Sequence, residues 1–491
     1  MSEPTSLARR LDLLCTAAAE GLGDSDVAQR LAEIRSRLHD PLRLAIAGRV
    51  KAGKSTLLNA LVGERLAPTD AGECTKLVSW YAHSHGYEVK ARNRDGSLDS
   101  LPFRREAGAL EIDVDDELIS GIERLEIGWP SARLEHLTLI DTPGIGSTDD
   151  LAGERTAAFF ALDEDNASDA DAVLYLMRHA HRTDAEFLDS FLDQSVSNST
   201  PVNAIAVLSR ADEIGAGRLD ALESANLIAA RYREDERLKP LVSEVIAVAG
   251  LIAETAATFE EREAAALRRL AGEPADTVEE LLLSADHFLE PSLSDLTVES
   301  RRELVGRLGM FGVRYCLTAI RAGETTTASQ LARSLAEISG VSRLRELIDG
   351  RFSSCAHLLK ARSALTSLRA VVREQESVEP VRAEQLGRRL EEIQASAHEL
   401  AELRLLHMLR IGTIDFSRRE AAEVELIIGG GNIPERLGLE HDATSEQIQR
   451  QALRAVARWR EKASNPLTDR ATTFGAEVMA RSYEGFYASA M

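Results

Sequence analysis

Eight residues constrain this chain more than any others: Gly48-Arg49-Val50-Lys51-Ala52-Gly53-Lys54-Ser55. They satisfy the spacing G-x-x-x-x-G-K-[ST]. They follow an apolar stretch, Leu44–Ala47, that reads as a strand, and lead into Thr56-Leu57-Leu58-Asn59-Ala60, which reads as a helix. In that context the glycines let backbone N–H groups close on phosphate oxygens, and the helix N-terminus adds positive potential. Lys54 is then expected to reach β- and γ-phosphates and Ser55 to ligate Mg²⁺, with Gly48, Arg49, Lys51, Ala52, Gly53 and Thr56 completing the turn.

The pattern around this loop predicts an α/β head. Apolar segments at Leu44–Ala47, Leu77–Tyr81, Leu137–Ile140, Ala172–Leu176, Asn203–Leu208 and Val245–Val248 read as strands. Helix-like stretches separate several of them, which predicts a mostly parallel sheet with helices on both faces. Thr183-Asp184-Ala185-Glu186 reads as a capping box that starts one such helix. Residues 1–40 read as two helices, with stripes Leu7/Leu11/Leu14 and Leu31/Ile34/Leu38. After residue 250 strand signals nearly vanish. Leu344, Leu347, Leu358, Ala361, Leu365, Leu368 and Val372 form the seam of a long helix, Glu374–Val381 breaks it, and a second long helix runs through Leu386, Leu390, Ile393, Ala397 and Leu400. Gly429–Asn432 reads as a hinge. At 491 residues the chain exceeds one compact core, so two or three domains are expected: a head, then an extended all-α rod.

Three further stations bear on the choice of nucleotide. Asp141-Thr-Pro-Gly144 follows a strand, where Asp141 can hold Mg²⁺ through water and the Gly144 N–H can sense a γ-phosphate. Ser209-Arg210-Ala-Asp212 ends another, where Asp212 can accept hydrogen bonds from guanine N1 and N2; the plain alternative is a strand-end cap. Val248-Ala249-Gly250 ends the next, where backbone can touch guanine O6. Each word is short, but in this order at strand C-terminal ends they favour guanine over adenine.

With Gly48–Ser55, Thr75, Asp141–Gly144 and Ser209–Asp212 in succession, the head resembles the GTPase superfamily. A head followed by a long helical rod, together with the run Arg307-Leu-Gly-Met-Phe-Gly312, resembles the bacterial dynamin-like GTPases. The resemblance implies hydrolysis of GTP and a switch threonine on Mg²⁺ in the triphosphate state: Thr75, with Thr69 as competitor. Ser209-Arg210 departs from the usual Asn/Thr-Lys. Ile145 stands where other GTPases carry a glutamine, so switch backbone near Thr75 and a partner head are expected to finish the site, leaving lone heads slow. Lys51 occupies a position that in cation-dependent relatives is often an asparagine holding potassium. Its ammonium either replaces that ion or is simply solvated. Cys74 reads as a small buried hydrophobe, and His179-Ala-His181 as a solvated loop rather than a metal site.

The resemblance also implies domain bounds. Residues 1–40 are expected to pack into a neck, 41–302 to form the GTPase head, and 303–345 to supply neck helices. Residues 346–428 would form a stalk with its tip near 374–381, and 429–491 would return to the neck. A net charge of −22 repels nucleic acid and anionic lipid at long range, so any such contact needs a local basic patch. Leu251–Ser300 holds twelve carboxylates against three arginines and reads as a solvated elaboration of the head, whereas Arg351–Arg373 holds five basic residues and no acid. Lys360, Arg362, Arg369, Arg373 and Arg382 are therefore candidates for contact with an anionic membrane surface, unless they pair with Glu374, Glu376 and Glu379. No apolar run approaches the ~18 residues of a spanning helix, and the N-terminus lacks a basic start followed by an apolar core. Four scattered cysteines fit a reducing compartment. The expectation is a cytoplasmic protein, peripheral on the inner membrane face, that self-associates through its heads, constricts or cuts membranes, and binds no nucleic acid. A ribosome- or RNA-associated GTPase and a scaffold with little turnover are the alternatives.

Overall fold

The computed structural model describes residues 6–23, 25–67, 77–106, 109–112, 119, 121–144, 169–179, 185, 188, 203–325, 327–429 and 432–490. Among these, the strands are β1 (Leu42–Gly48), β2 (Val78–His83), β3 (Glu88–Asn93), β4 (Leu98–Ser100), β5 (Phe103–Glu106), β6 (Ala109–Ile112), β7 (Ile122–Trp129), β8 (Leu137–Asp141), β9 (Ala172–Met177), β10 (Ala204–Ser209) and β11 (Val245–Val248). Nine of them form one sheet in the order β11-β10-β9-β1-β8-β2-β7-β3-β4, and β5 pairs with β6 apart from it.

β1 lies inside the sheet because both of its faces are apolar. Leu44 and Ile46 pack to one side and Ala45 and Ala47 to the other, all fully buried. It is parallel to β8 and β9, and β10 and β11 extend that parallel block. Beyond β8 the direction changes: β2 runs antiparallel to β8, β7 parallel to β2, and β3 antiparallel to β7. All six expected strands are present. The wing β3–β7 was not expected, because segments such as Glu-Val-Lys-Ala-Arg-Asn interleave charge with few apolar residues and lie half-exposed.

The chain opens with α1 (Leu7–Ala19) and α2 (Asp26–His39), and α3 (Lys54–Val62) follows β1. The head continues through α4 (Ala221–Arg233), α5 (Gly250–Ala257), α6 (Glu261–Ala271), α7 (Val298–Arg321), α8 (Ala328–Ile338) and α9 (Val341–Arg351). One sheet face is covered by α4, α6 and α7, through Ala225, Leu267, Leu308 and Phe311. The other is covered by α3 and α9, through Leu57, Leu58, Leu344 and Leu347. The acid-rich stretch is therefore only partly solvated: Ile252, Leu267, Leu270 and Phe288 are core, and Glu254 and Glu263 are buried.

The packing differs from the expected neck. Residues 303–345 sit on the head, because Leu304, Leu308, Phe311, Val313 and Leu317 of α7 are needed to cover a sheet face that shorter helices leave open. Arg301 is fully buried at the start of α7, and its guanidinium donates to the carbonyls of Leu296, Phe288 and Glu290.

The rod is built from α10 (Ala356–Glu376), α11 (Pro380–Ser396) and α12 (His398–Arg410), followed by α13 (Arg418–Ile428), α14 (Ile433–Arg436), α15 (Ser445–Ser464) and α16 (Arg470–Ser489). The N-terminal helices pack here, not with 303–320. Leu7, Leu11, Leu31 and Ile34 close a core with Ala361, Ala364, Leu365, Leu368 and Leu390, where two alanines of α10 allow close approach. The second long helix is interrupted at Ala397 (φ −76°, ψ 99°), where α1 docks. Arg10 donates to the Ile393 carbonyl, and the Leu7 N–H donates to Glu399. α15 and α16 pack on α12 and α13 through Trp459, Met479 and Leu405. At the end of α10, Arg30 pairs with Glu374 and Arg382 donates to the Glu20 carbonyl, so the α1–α2 and α10–α11 turns share one end of the rod.

Candidate nucleotide-binding site

The loop between β1 and α3 is held by residues with few alternatives. Gly48 has φ +148°, and a Cβ there would collide with the Leu176 carbonyl of β9. Gly53 caps α3 at φ +91°, and Lys51 stands exposed at the loop's crest with φ +62°. The Lys54 ammonium folds back over the loop, 3.4 Å from the carbonyls of Gly48 and Arg49. β8 delivers Asp141 beside it, and the Ser55 hydroxyl donates to Asp141 Oδ2 at 2.7 Å. Burial pushes the Asp141 carboxyl up and the Lys54 ammonium down; their mutual attraction opposes both shifts. Asp141 Oδ1 is buried with no hydrogen-bond partner among the described residues.

Two hard oxygen donors, one of them carrying an orphaned buried lone pair, fit Mg²⁺ at this point. The turn after β8 packs directly on the loop: a Cβ at Gly144 would come within 2.6–2.9 Å of Val50, so only glycine fits. The Thr142 hydroxyl donates to the Ile46 carbonyl at 3.0 Å and fixes that turn to β1.

A cavity of about 120 Å³ adjoins the loop, lined by Ala52, Gly53, Thr56, Ser209, Asp212 and Gly250 among others. The expected base-reading stations converge here. Ser209 is tied by its hydroxyl to the Met177 carbonyl. Arg210 takes a left-handed conformation and pairs with Glu213 at 2.6 Å. Asp212 is 5% exposed, and burial raises its carboxyl to about 6. Ala249 donates its N–H to the Ser339 carbonyl at 2.9 Å.

Three participants escaped the sequence reading. Arg178 pairs with Glu213 at the cavity's edge. Gly309 kinks α7 beside Asp212, and the signal for it was a glycine inside a helical pattern. Arg314 donates to the carbonyls of Ala216 and Gly217, the end of the Asp212 turn; nothing in the sequence marked it. Thr75, Thr69, Cys74, Ile145, His181 and the Thr183 capping box lie outside the described residues. His179 is exposed, and the described residues contain no cluster of three or more His, Cys, Asp or Glu side chains placed to hold a metal ion.

The candidate lipid contacts do not form one patch. Lys360 lies at the head end of α10, its ammonium donating to the Asp40 carbonyl at 2.8 Å, and Arg362 is buried. About 24 Å of helix separates Lys360 from the end of α10, so both are corrected to structural positions: the seam spacing turns them inward. Arg369 donates to Gln394, Arg382 pairs with Glu379, and Arg373 is exposed. No helix among the described residues is long and apolar enough to cross a membrane.

A phosphate-loop turn with Ser55 and Asp141 beside it, and a cavity at the C-terminal ends of a parallel sheet joined to a helical rod, are the architecture of a GTPase of the dynamin type. A model of the Dynamin family matches residues 44–210. The chain belongs to the bacterial dynamin-like GTPases. It is 38% identical over 468 residues to the isoniazid-induced protein IniC of Mycobacterium tuberculosis, covering 94% of this chain and 93% of that protein. It is 35% identical over 164 residues to the isoniazid-induced protein IniA of the same organism, covering 30% of this chain and 23% of IniA. A solved oligomerised bacterial dynamin pair, associated with long-range sensing and tethering of membranes, aligns over 94% of this chain and 64% of its own, at 14% identity and a TM-score of 0.32.

Proposed function

We propose that this chain hydrolyses GTP to GDP and phosphate and uses the nucleotide state of its head to move its rod and constrict or cut a membrane. The observation that carries the catalytic part is the Ser55–Asp141 hydrogen bond with the partnerless Oδ1 beside it. Lys54, released from the carbonyls of Gly48 and Arg49, takes the β/γ-phosphate oxygens instead. Ser55 would hold Mg²⁺, with Asp141 holding it through water, and the ion would supply neutralisation of charge on the β- and γ-phosphates. Asp212 accepts from guanine N1 and N2, while Gly250 lines the cavity at the base edge; Ala249 is fully buried behind it, its N–H held by Ser339. Gly144 reports the γ-phosphate to the loop through its contact with Val50. Thr75 completes the switch. Lys51 supplies positive charge beside the phosphates, so turnover is equal in sodium and potassium salts.

The membrane part is supported by the family and by the rod. Its contact surface is the far end of α10 and α11, where Arg369, Arg373 and Arg382 lie, and partner heads complete the site on an inner membrane face. The test is steady-state GTP hydrolysis with and without anionic liposomes, with Lys54→Ala as the blank. Turnover that is lost in Lys54→Ala and stimulated by liposomes, with stimulation abolished by reversing Arg369 and Arg373, supports both parts. Turnover unchanged by liposomes, with no cosedimentation, removes the membrane part and leaves the GTPase.

A further inference from the structure

A groove of about 460 Å³ opens between α13, α14, α15 and α16, in a core cluster separate from those of the head. Arg419, Arg436, Arg454 and Arg458 line it, with Glu423 the single carboxylate of the lining. On a chain of net charge −22, four guanidinium groups around one hollow reverse the sign of the surroundings.

The groove is ordered from behind. Glu423 Oε1 accepts from Arg458, from Trp459 Nε1 at 2.9 Å and from the Tyr483 hydroxyl at 2.5 Å, which ties this oxygen and Arg458 to the core behind the groove. Arg436 donates through Nε to the Ile427 carbonyl at 2.5 Å and lies over the Phe486 ring at 4.6 Å. Arg419 and Arg454, by contrast, make no ion pair or hydrogen bond among the described residues, and both are exposed. Their placement opposes helix stability. Arg454 and Arg458 are like charges one turn apart, and Arg419 sits in the first turn of α13, where the helix dipole favours an acid. An anion between them relieves both conflicts.

We propose that this groove binds a phosphate-bearing anion, gripped in bidentate fashion by Arg419 and Arg454 and seated against the fixed guanidinium groups of Arg436 and Arg458. A soluble phosphomonoester and an anionic phospholipid headgroup present the same chemistry, and the test separates them.

Binding is measured on the full chain at physiological salt, with GDP and Mg²⁺ saturating the head. The probes are inorganic phosphate, glycerol 3-phosphate and phosphatidylglycerol vesicles, with phosphatidylcholine vesicles as the blank. Arg419→Gln/Arg454→Gln is expected to weaken binding of at least one probe tenfold or more, whereas Arg388→Gln, on an exposed pair in α11, leaves it unchanged. Affinity should also fall as salt rises. Soluble-phosphate binding that the double variant loses assigns a metabolite-type ligand; a loss confined to the anionic vesicles assigns a headgroup. No binding to any probe, or equal binding by wild type and double variant, overturns the proposal. GTP turnover without vesicles, read on the same double variant, stays at wild-type level, so the head's reading and the groove's fail separately.

Discussion

Gly309 sits against Asp212: a Cβ at 309 would lie 3.5 Å from the Asp212 carboxylate oxygen Oδ2, at the point where α7 kinks with φ +60° and ψ +177°. The base cavity and the helix that covers the sheet thus meet at one backbone position. A side chain at 309 must take a left-handed backbone, at a cost of about 1–3 kcal/mol, or straighten α7. Straightening pulls Arg314 away from the Ala216 and Gly217 carbonyls. Gly309→Ala is therefore expected to lower the melting temperature and weaken guanine-nucleotide binding several-fold. Calorimetry and a fluorescent-nucleotide titration read the two effects; an unchanged pair of values refutes the coupling.

Ser55→Ala leaves both Asp141 oxygens buried without a partner. The nucleotide-free protein should lose about 1–3 kcal/mol, and the carboxyl, already raised by burial, should protonate more readily. The stabilisation that Mg²⁺ adds to nucleotide should shrink most. Thermal melts with nucleotide in Mg²⁺ and in EDTA separate the two contributions.

Acidity should act through Asp212. Its carboxyl is raised to about 6 by burial, above the unfolded value of 3.8, so between about pH 4 and 6 the native state holds more protons than the unfolded one. This group's contribution to stability therefore falls as pH rises through that window. Base recognition moves the other way, because the protonated acid cannot accept from both N1 and N2. Affinity for guanine nucleotide should drop towards tenfold per unit below pH 6. Asp212→Asn should flatten both profiles, stabilise the nucleotide-free protein at pH 7 by of order 2–3 kcal/mol, and erase the preference for guanine over adenine. Paired pH titrations of melting and binding decide it.

Leu365 is fully buried where α10 meets α1, α2 and α11. Leu365→Ala should cost about 2–5 kcal/mol and loosen the N-terminal helices from the rod. Limited proteolysis should then cut within residues 20–25 first, while GTP binding by the head persists. Cleavage starting in the head would contradict this assignment of cores.

The head was legible because its strands are continuous apolar runs punctuated by glycine loops, so β1, β8, β9, β10 and β11 each carried their own signal. The wing was not, because β3 and β4 earn their place by pairing with a neighbour rather than by burying two faces. The same distinction runs through the site. Lys54, Ser55, Asp141 and Asp212 are marked by spacing along the chain, whereas Arg178, Gly309 and Arg314 come from remote positions to hold the residues and the turn around the cavity. In the rod, seam spacing located α10 and the break before Pro380, but it ran back through Leu344 and Leu347, which belong to α9 and pack on the head, and it could not say which helices would fill the seam. Lys360 and Arg362 read as surface charge only while the partner helices were unknown.

The rod's core joins α1 and α2 to α10 and α11, so α1 and α2 are made long before the helices that bury them. At about 5–20 residues per second, a ribosome needs on the order of 20–70 seconds after finishing α2 to release the helices that will cover it. Throughout that interval Leu7, Leu11, Leu31 and Ile34 present an uncovered apolar stripe while the head folds behind them. Synthesis order leaves this pair of helices in need of shielding, and the core they share with α10 and α11 cannot close until α11, which begins 341 residues after α2 ends, has been translated.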